Sequence, residues 1–224
     1  MQTIKIIDNK SQNLILFFNG WGMDENIVKN LKTEYYDVIV CSDYRNFDNF
    51  NFEILQNYNK IIVIAWSMGV WAVEQISYLN KIKSVILIAI NGTGNPIDDN
   101  FGIPKNVYQG TIDNFSEQVR QKFFLRMCGS KQVYEKFMEN KPERPINEQL
   151  EELLFIQNLT KTSVKSEFNW NFAIIGSSDK IFPVSNLMNY WKDKTQVILT
   201  DFPHFVFNNY NKWDEIIEFC INKN

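Results

Sequence analysis

The chain has 224 residues and a formal net charge of −3, with 45% apolar and 22% charged residues. This length suits one domain with a sizeable core, and the composition is typical of a globular protein. The slightly acidic balance gives no reason to expect nucleic acid as a partner. No apolar run approaches the roughly 20 residues of a membrane span, and the first ten residues lack the apolar core of a signal peptide. We therefore expect a cytoplasmic protein with neither a nucleic-acid nor a membrane partner.

Strand-like runs recur along the chain. They lie at residues 13–19, 37–44, 60–67, 84–91, 172–179 and 195–200, and TIKIID near the start adds an edge strand. Segments of helical length separate most of these runs. Strands that alternate with helices predict a mostly parallel sheet flanked by helices.

A glycine-rich loop follows the first of these runs, in FFNGWGMD. Gly20 and Gly22 allow the loop around Trp21 to fold closely over the edge of the sheet. If the chain performs acyl transfer, the N–H of Trp21 is our candidate for one donor of an oxyanion hole. The alternative is a glycine-rich turn with a buried tryptophan.

The stretch Ile61–Ala72, IIVIAWSMGVWA, places Ser67 between a buried strand and a segment of helical period that continues to about Leu79. This junction resembles the nucleophile elbow of α/β-hydrolases, G-x-S-x-G, in which small residues flank the serine. The small residues here are Ala65 and Gly69, so the chain departs from the pattern by one methyl group. The N–H of Met68 then supplies the second oxyanion donor. The elbow alone is also consistent with a serine that caps a helix.

A serine nucleophile needs a base and an orienting acid. His204, the only histidine, follows the last strand, where the hydrolase order Ser-Asp-His places the base. Asp179, at the end of the preceding strand, is the predicted acid, although it could instead cap the helix after Pro183. Asp201 competes, but it lies only three residues before His204 and is therefore poorly placed to orient it.

The interval 95–169 interrupts the alternation of strands and helices with amphipathic segments around 116–127, 131–140 and 147–159. It lies between two core strands, where α/β-hydrolases carry a cap. We predict a single α/β-hydrolase domain over 1–224 with a helical lid at 95–169.

Four loops together resemble a known family. FFNGWGMD, AWSMG, SSDKIFP and FPHFVF are similar to the small α/β-hydrolases of biotin synthesis that act as pimeloyl-[acyl-carrier protein] methyl ester esterases, in particular the short BioG type. The resemblance covers nearly the whole chain, and it implies that Trp21 and Trp66 wall the pocket around the scissile methyl ester. It also implies an acidic acyl-carrier protein as partner. Asn19 stands where many hydrolases have histidine, and Ala65 replaces glycine, but neither change removes a catalytic group.

The lid contains a basic stretch from Gln118 to Tyr134 with no acidic residue. Its four cations are Arg120, Lys122, Arg126 and Lys131. A basic patch beside the mouth of an active site would steer an acidic carrier protein. The alternative is a solvated helix face. Between the charges, Phe123, Phe124 and Met127 either roof an acyl channel or form the buried side of the lid.

Cysteine usage points to no other chemistry. Cys41, Cys128 and Cys220 are widely spaced and include no CxxC pair, which favours reduced, structural thiols.

From the triad order and the four loops together, we predict a monomeric serine carboxylesterase that needs no metal and no organic cofactor. The alternatives are a thioesterase, acyltransferase or C–C hydrolase with the same triad, and a non-catalytic binding protein on a hydrolase fold.

Overall fold

A computed structural model describes residues 1–47, 51–82, 85–162 and 168–222. In those ranges, one sheet contains the strands β1 (Gln2–Ile7), β2 (Asn13–Phe18), β3 (Asp37–Ser42), β4 (Lys60–Trp66), β5 (Val85–Ile90), β6 (Phe172–Gly176) and β7 (Gln196–Thr200). Their order across the sheet is β1-β3-β2-β4-β5-β6-β7. All neighbouring pairs are parallel except β1 and β3. The mostly parallel sheet and the added edge strand are thus confirmed.

Helices connect these strands. They are α1 (Met68–Glu74), α2 (Lys105–Asp113), α3 (Glu117–Cys128), α4 (Lys131–Met138), α5 (Ile146–Thr160), α6 (Val184–Trp191) and α7 (Trp213–Ile221). Helices α2 to α5 fall between β5 and β6, where the lid is predicted, although residues 163–167 of that interval lie outside the described part of the chain. Among the described residues, no helix is long and apolar enough to cross a membrane.

The sheet separates two apolar cores. Along β2, Leu14 and Leu16 face a cluster with α1 and α6, while Ile15 and Phe17 face a cluster with α7. Because side chains alternate across a strand, this all-apolar strand is buried on both faces, as parallel strands are. Because β2, β4, β5, β6 and β7 are parallel, their carboxyl ends lie at the same edge of the sheet, which is where such folds place their sites.

Two helical predictions differ from the structure. The helix after Ser67 was expected to reach about Leu79, but α1 ends at Glu74 because Ile76 leaves helical geometry (φ −104°, ψ 80°). A 3₁₀ turn over Ser77–Lys81 follows, and it still buries Leu79 in the core. Helix α2 is not among the predicted helical segments, and in its sequence KNVYQGTID the one buried residue is Tyr108.

The three cysteines are buried and unpaired. Burial raises the pKa of the Cys128 and Cys220 thiols to about 12. Thiols of this kind stay protonated at neutral pH and are poor nucleophiles.

Candidate active site

The predicted nucleophile, base and acid meet at the carboxyl edge of the sheet. His204 Nε2 lies 3.0 Å from Ser67 Oγ, and His204 Nδ1 lies 2.7 Å from Asp179 Oδ2. All three residues are buried. With a proton on Nδ1, the imidazole donates to Asp179 and leaves Nε2 free to accept the Ser67 proton. Asp201, the competing acid, is exposed and does not take this place.

Ser67 occupies a sharp turn between β4 and α1. Its backbone is in the left-handed half of conformational space (φ 57°, ψ −123°), and its side chain makes no capping bond to α1. A Cβ on Gly69 would lie 2.2 Å from Phe18 O, and one on Gly92 would lie 2.1 Å from Ser67 O. The first contact explains the glycine two residues after Ser67, and the second explains Gly92, whereas the buried position two residues before Ser67 holds Ala65. The geometry thus matches an elbow rather than a helix cap.

Asp179 uses its two carboxylate oxygens differently. Oδ1 accepts the N–H groups of Ile181 (2.7 Å) and Phe182 (3.0 Å), which leaves Oδ2 for His204. The alternative role of Asp179 in the turn before α6 therefore exists beside its contact with the imidazole. Two backbone donors hold the carboxylate in one orientation.

The histidine loop is fixed by groups that the sequence analysis did not single out in this role. The carbonyl of His204 accepts from Trp66 Nε1 (2.8 Å) and from Asn91 Nδ2 (3.1 Å). Asn91 Oδ1 also accepts the N–H of Gly176, at the end of β6 (2.7 Å). Phe182 stacks on the imidazole with ring centroids 5.9 Å apart. Asn91 thereby joins the acid strand to the histidine loop, and a buried asparagine ending an apolar strand was the only signal in the sequence.

The glycine-rich loop lies directly against the elbow. A Cβ on Gly20 would lie 3.4 Å from Ser67 Cβ and 2.8 Å from the Trp66 ring. Within the described residues, the N–H groups of Trp21 and Met68 donate to no protein acceptor. Two free donors beside a nucleophile are the components of an oxyanion hole.

A buried ion pair stands behind this loop. The Glu152 carboxylate accepts the N–H of Gly22 (3.1 Å) and of Tyr44 (2.9 Å), and Arg144 Nη1 lies 2.6 Å from it. Burial raises the pKa of the Glu152 carboxyl, while Arg144 and the two N–H groups oppose that rise. In the sequence, Glu152 is one of several acidic residues of an amphipathic helix, so nothing there distinguished it.

An apolar cavity opens over Ser67 and His204. Trp21, Trp66 and Phe123 line it, together with residues of α2 and α5 such as Tyr108 and Leu153. Within the described residues, no cluster of three or more histidine, cysteine or carboxylate side chains could hold a metal ion.

Two of the proposed lining residues lie elsewhere. Phe124 and Met127 belong to the core cluster on the other side of α3, where Phe124 packs edge to face with Phe137, at 5.1 Å between ring centroids. Of the three apolar residues proposed from α3, the structure therefore brings only Phe123 to the cavity.

The basic stretch divides in the same way. Arg120 pairs with Glu117 (2.6 Å) and Lys131 with Glu135 (3.6 Å), two acids just outside the stretch. Lys122 and Arg126 are exposed and line the cavity, as does Lys180 from the loop after β6. Within the described residues, none of these three makes an ion pair. Of the four cations of the basic stretch, the two that line the cavity are therefore the two without an ion partner among the described residues.

Comparisons with known proteins agree on a family. The family model described as "Pimeloyl-ACP methyl esterase BioG" matches residues 1–216. The crystal structure of BioG from Haemophilus influenzae superposes with a TM-score of 0.87 at 34% identity, covering 96% of this chain and 98% of that one. An α/β hydrolase fold protein from Burkholderia ambifaria superposes with a TM-score of 0.59 at 13% identity, covering 100% of this chain and 93% of that one. The fold is therefore that of the α/β-hydrolases.

One curated relative is much longer. A malonyl-[acyl-carrier protein] O-methyltransferase of Bacteroides fragilis is 45% identical over 178 residues, which make up 80% of this chain and 36% of that protein. The chain thus spans about a third of that relative.

Proposed function

The chain belongs to the BioG family, and from that premise we propose that it is a serine esterase acting on the methyl ester of an acyl chain bound to acyl-carrier protein. The substrate we propose is pimeloyl-acyl-carrier-protein methyl ester, in biotin synthesis. The observation that carries the proposal is the chain of hydrogen bonds from Asp179 through His204 to Ser67, facing an apolar cavity.

The reaction follows from this geometry. Asp179 orients the imidazole, and Nε2 takes the proton of Ser67 as Oγ attacks the ester carbonyl. The N–H groups of Trp21 and Met68 stabilise the tetrahedral oxyanion. As the tetrahedral intermediate collapses, His204 protonates the departing methoxide, which leaves as methanol, and a water molecule activated by the same imidazole then cleaves the acyl-enzyme. The products are methanol and a free carboxylate.

The lining of the cavity supports a carrier-bound acyl chain. Its apolar walls suit a methylene chain, and Lys122, Arg126 and Lys180 place positive charge around it. An acyl-carrier protein is acidic, so this charge favours its approach. Lys131 and Arg120, both paired with acids, contribute less to that docking surface than Lys122 and Arg126. We take the protein to work in the cytoplasm as a single-domain monomer.

A comparison of substrates tests the proposal. Hydrolysis of methyl pimeloyl-acyl-carrier protein should be compared with p-nitrophenyl esters of varied acyl length and with the demethylated pimeloyl-acyl-carrier protein. We expect release of methanol with the thioester left intact. Cleavage of the thioester instead would make the protein a thioesterase. Failure of a fluorophosphonate probe to label Ser67 would favour a non-catalytic binding protein.

A further inference from the structure

Helix α5 of the lid is attached to the glycine-rich loop at two consecutive residues. Trp21 Nε1 donates to Gln149 O (2.7 Å), and Gly22 N donates to Glu152 Oε2 (3.1 Å). The two acceptors lie about one turn apart on α5. Gly22 has a positive φ of 72°, and a Cβ there would already be 3.4 Å from Gln149. The loop therefore packs against α5 and is bonded to it through the Trp21 side chain and through the N–H of the Trp21–Gly22 peptide.

The Glu152 carboxylate binds more than this loop. Its other oxygen accepts the N–H of Tyr44, which lies in the turn that follows β3, and the Tyr44 hydroxyl donates to Asn19 O (2.7 Å). Arg144, itself buried, neutralises the carboxylate and lies 3.2 Å from Asp43. Glu152 thus joins the loops after β2 and β3 to the linker before α5.

An apolar side chain could fill this space but could not accept the two backbone N–H groups. A buried carboxylate carries a desolvation cost that an apolar replacement avoids. Stability alone is therefore a weak reason for a buried ion pair at this position. What the carboxylate supplies is orientation, because it fixes the Gly22 N–H and hence the peptide next to the Trp21 N–H.

We propose that Glu152 is a positioning residue of the oxyanion hole, held in place by Arg144 and acting through Gly22 on the N–H of Trp21. This inference rests on the proposed esterase function. It also makes α5 part of the catalytic framework, since α5 cannot move away with the rest of the lid without releasing the loop that carries the oxyanion donor.

The test compares Glu152→Gln with Glu151→Gln. Glu151 is the neighbouring residue on α5, is exposed, and pairs only at the surface with Arg45. Active sites are first counted by fluorophosphonate titration, so that misfolded protein does not enter the rate. We then measure kcat and KM per titrated site on a p-nitrophenyl ester, and the affinity for an alkyl boronic acid, whose tetrahedral adduct with Ser67 places an oxygen in the oxyanion hole.

We expect Glu152→Gln to lower kcat per titrated site about 10- to 100-fold and to weaken boronate binding in parallel, with KM within about threefold of the parent. Glu151→Gln should stay within about twofold on all three. A residue that only stabilises the fold would lower the number of titrated sites and leave kcat per site unchanged, and that outcome overturns the proposal.

Glu152→Asp provides a second variant in case the glutamine variant does not fold. It keeps the charge opposite Arg144 but withdraws the carboxylate by one methylene from Gly22, so the same loss of kcat and boronate affinity is expected. Parental values in Glu152→Asp also overturn the proposal. If the unsubstituted protein shows no Ser67-dependent turnover, the esterase function itself fails, which is a different result from an active protein that is indifferent to Glu152.

Discussion

The cavity is built by two regions that differ in how they hold their side chains. On the sheet side, Ser67, Asp179 and His204 follow strand ends, and hydrogen bonds from the surrounding loops hold the Asp179 carboxylate and the His204 backbone. On the lid side, α3 offers Phe123 as an apolar wall and exposed cations with no ion partner among the described residues. Under the proposed esterase function, we expect the sheet side to carry the chemistry and α3 to select which acyl group reaches it.

The sharpest challenge to this division is removal of the nucleophile. Ser67→Ala should lower kcat on every ester by a factor on the order of 10⁶, since the triad acts as a unit. Thermal unfolding of the variant should remain cooperative near the parental Tm. Activity within tenfold of the parent on any ester would mean that the sheet side does not carry the chemistry.

The acid can be tested by two aspartates close in sequence. Asp179→Asn should lower kcat by roughly 10⁴, because an amide cannot hold the imidazole in the required tautomer. Asp201→Asn serves as the matched control and should change kcat less than about threefold, since Asp201 is exposed. If the Asp201 variant proves the slower of the two at equal folding, the assignment of the acid is wrong.

Charge reversal on α3 should depend on the substrate. With Lys122 and Arg126 both changed to Glu, we expect kcat/KM for carrier-bound ester to fall about tenfold at low salt, with the loss shrinking as salt screens the charges. Small uncharged esters should be hydrolysed at the parental rate.

In a control with the same change of net charge, Lys131 and Lys192 are both changed to Glu. These two lysines are exposed and lie outside the cavity lining. Its kcat/KM on carrier-bound ester should fall clearly less. Equal losses in both double variants would show an effect of overall charge and not of a docking surface.

The smallest expected effect separates adjacent phenylalanines. Phe123→Ala should raise KM for a medium-chain ester about fivefold through lost apolar contact. Phe124→Ala should leave KM unchanged and lower the free energy of unfolding by about 3–5 kcal/mol, since Phe124 is a core residue. Urea unfolding and steady-state kinetics on both variants measure the contrast, and a KM effect from Phe124→Ala would contradict it.

The sequence was informative where function depends on local order along the chain. The sheet, the elbow and the candidate triad follow from apolar runs and from the position of Ser67, Asp179 and His204 after successive strands. Contacts between distant segments left no such trace. Glu152 meets Gly22 across 130 positions and Asn91 meets His204 across 113, so neither role could be read from neighbouring residues.

The α3 helix shows a second limit. Phe123 and Phe124 are adjacent apolar residues, and helical period alone does not tell which of them faces a cavity and which faces another helix. The basic stretch was similarly defined by the absence of acids inside it, while Glu117 and Glu135, just outside, pair with Arg120 and Lys131. Because helical ion pairs form between residues three or four positions apart, the bounds of the stretch left out the acids that pair with its first and last cations.

The backbone conformation of Ser67 lowers the stability of the fold at the position of the proposed nucleophile. A non-glycine residue at φ 57° and ψ −123° costs on the order of 1–3 kcal/mol, a noticeable part of the net stability of a typical domain. Selection for thermal endurance alone would therefore favour glycine here, and that replacement would remove the proposed nucleophile. Under the proposed function, selection for turnover retains the strained serine, so a copy of this chain released from its reaction should lose Ser67 before it loses the apolar strand that presents it.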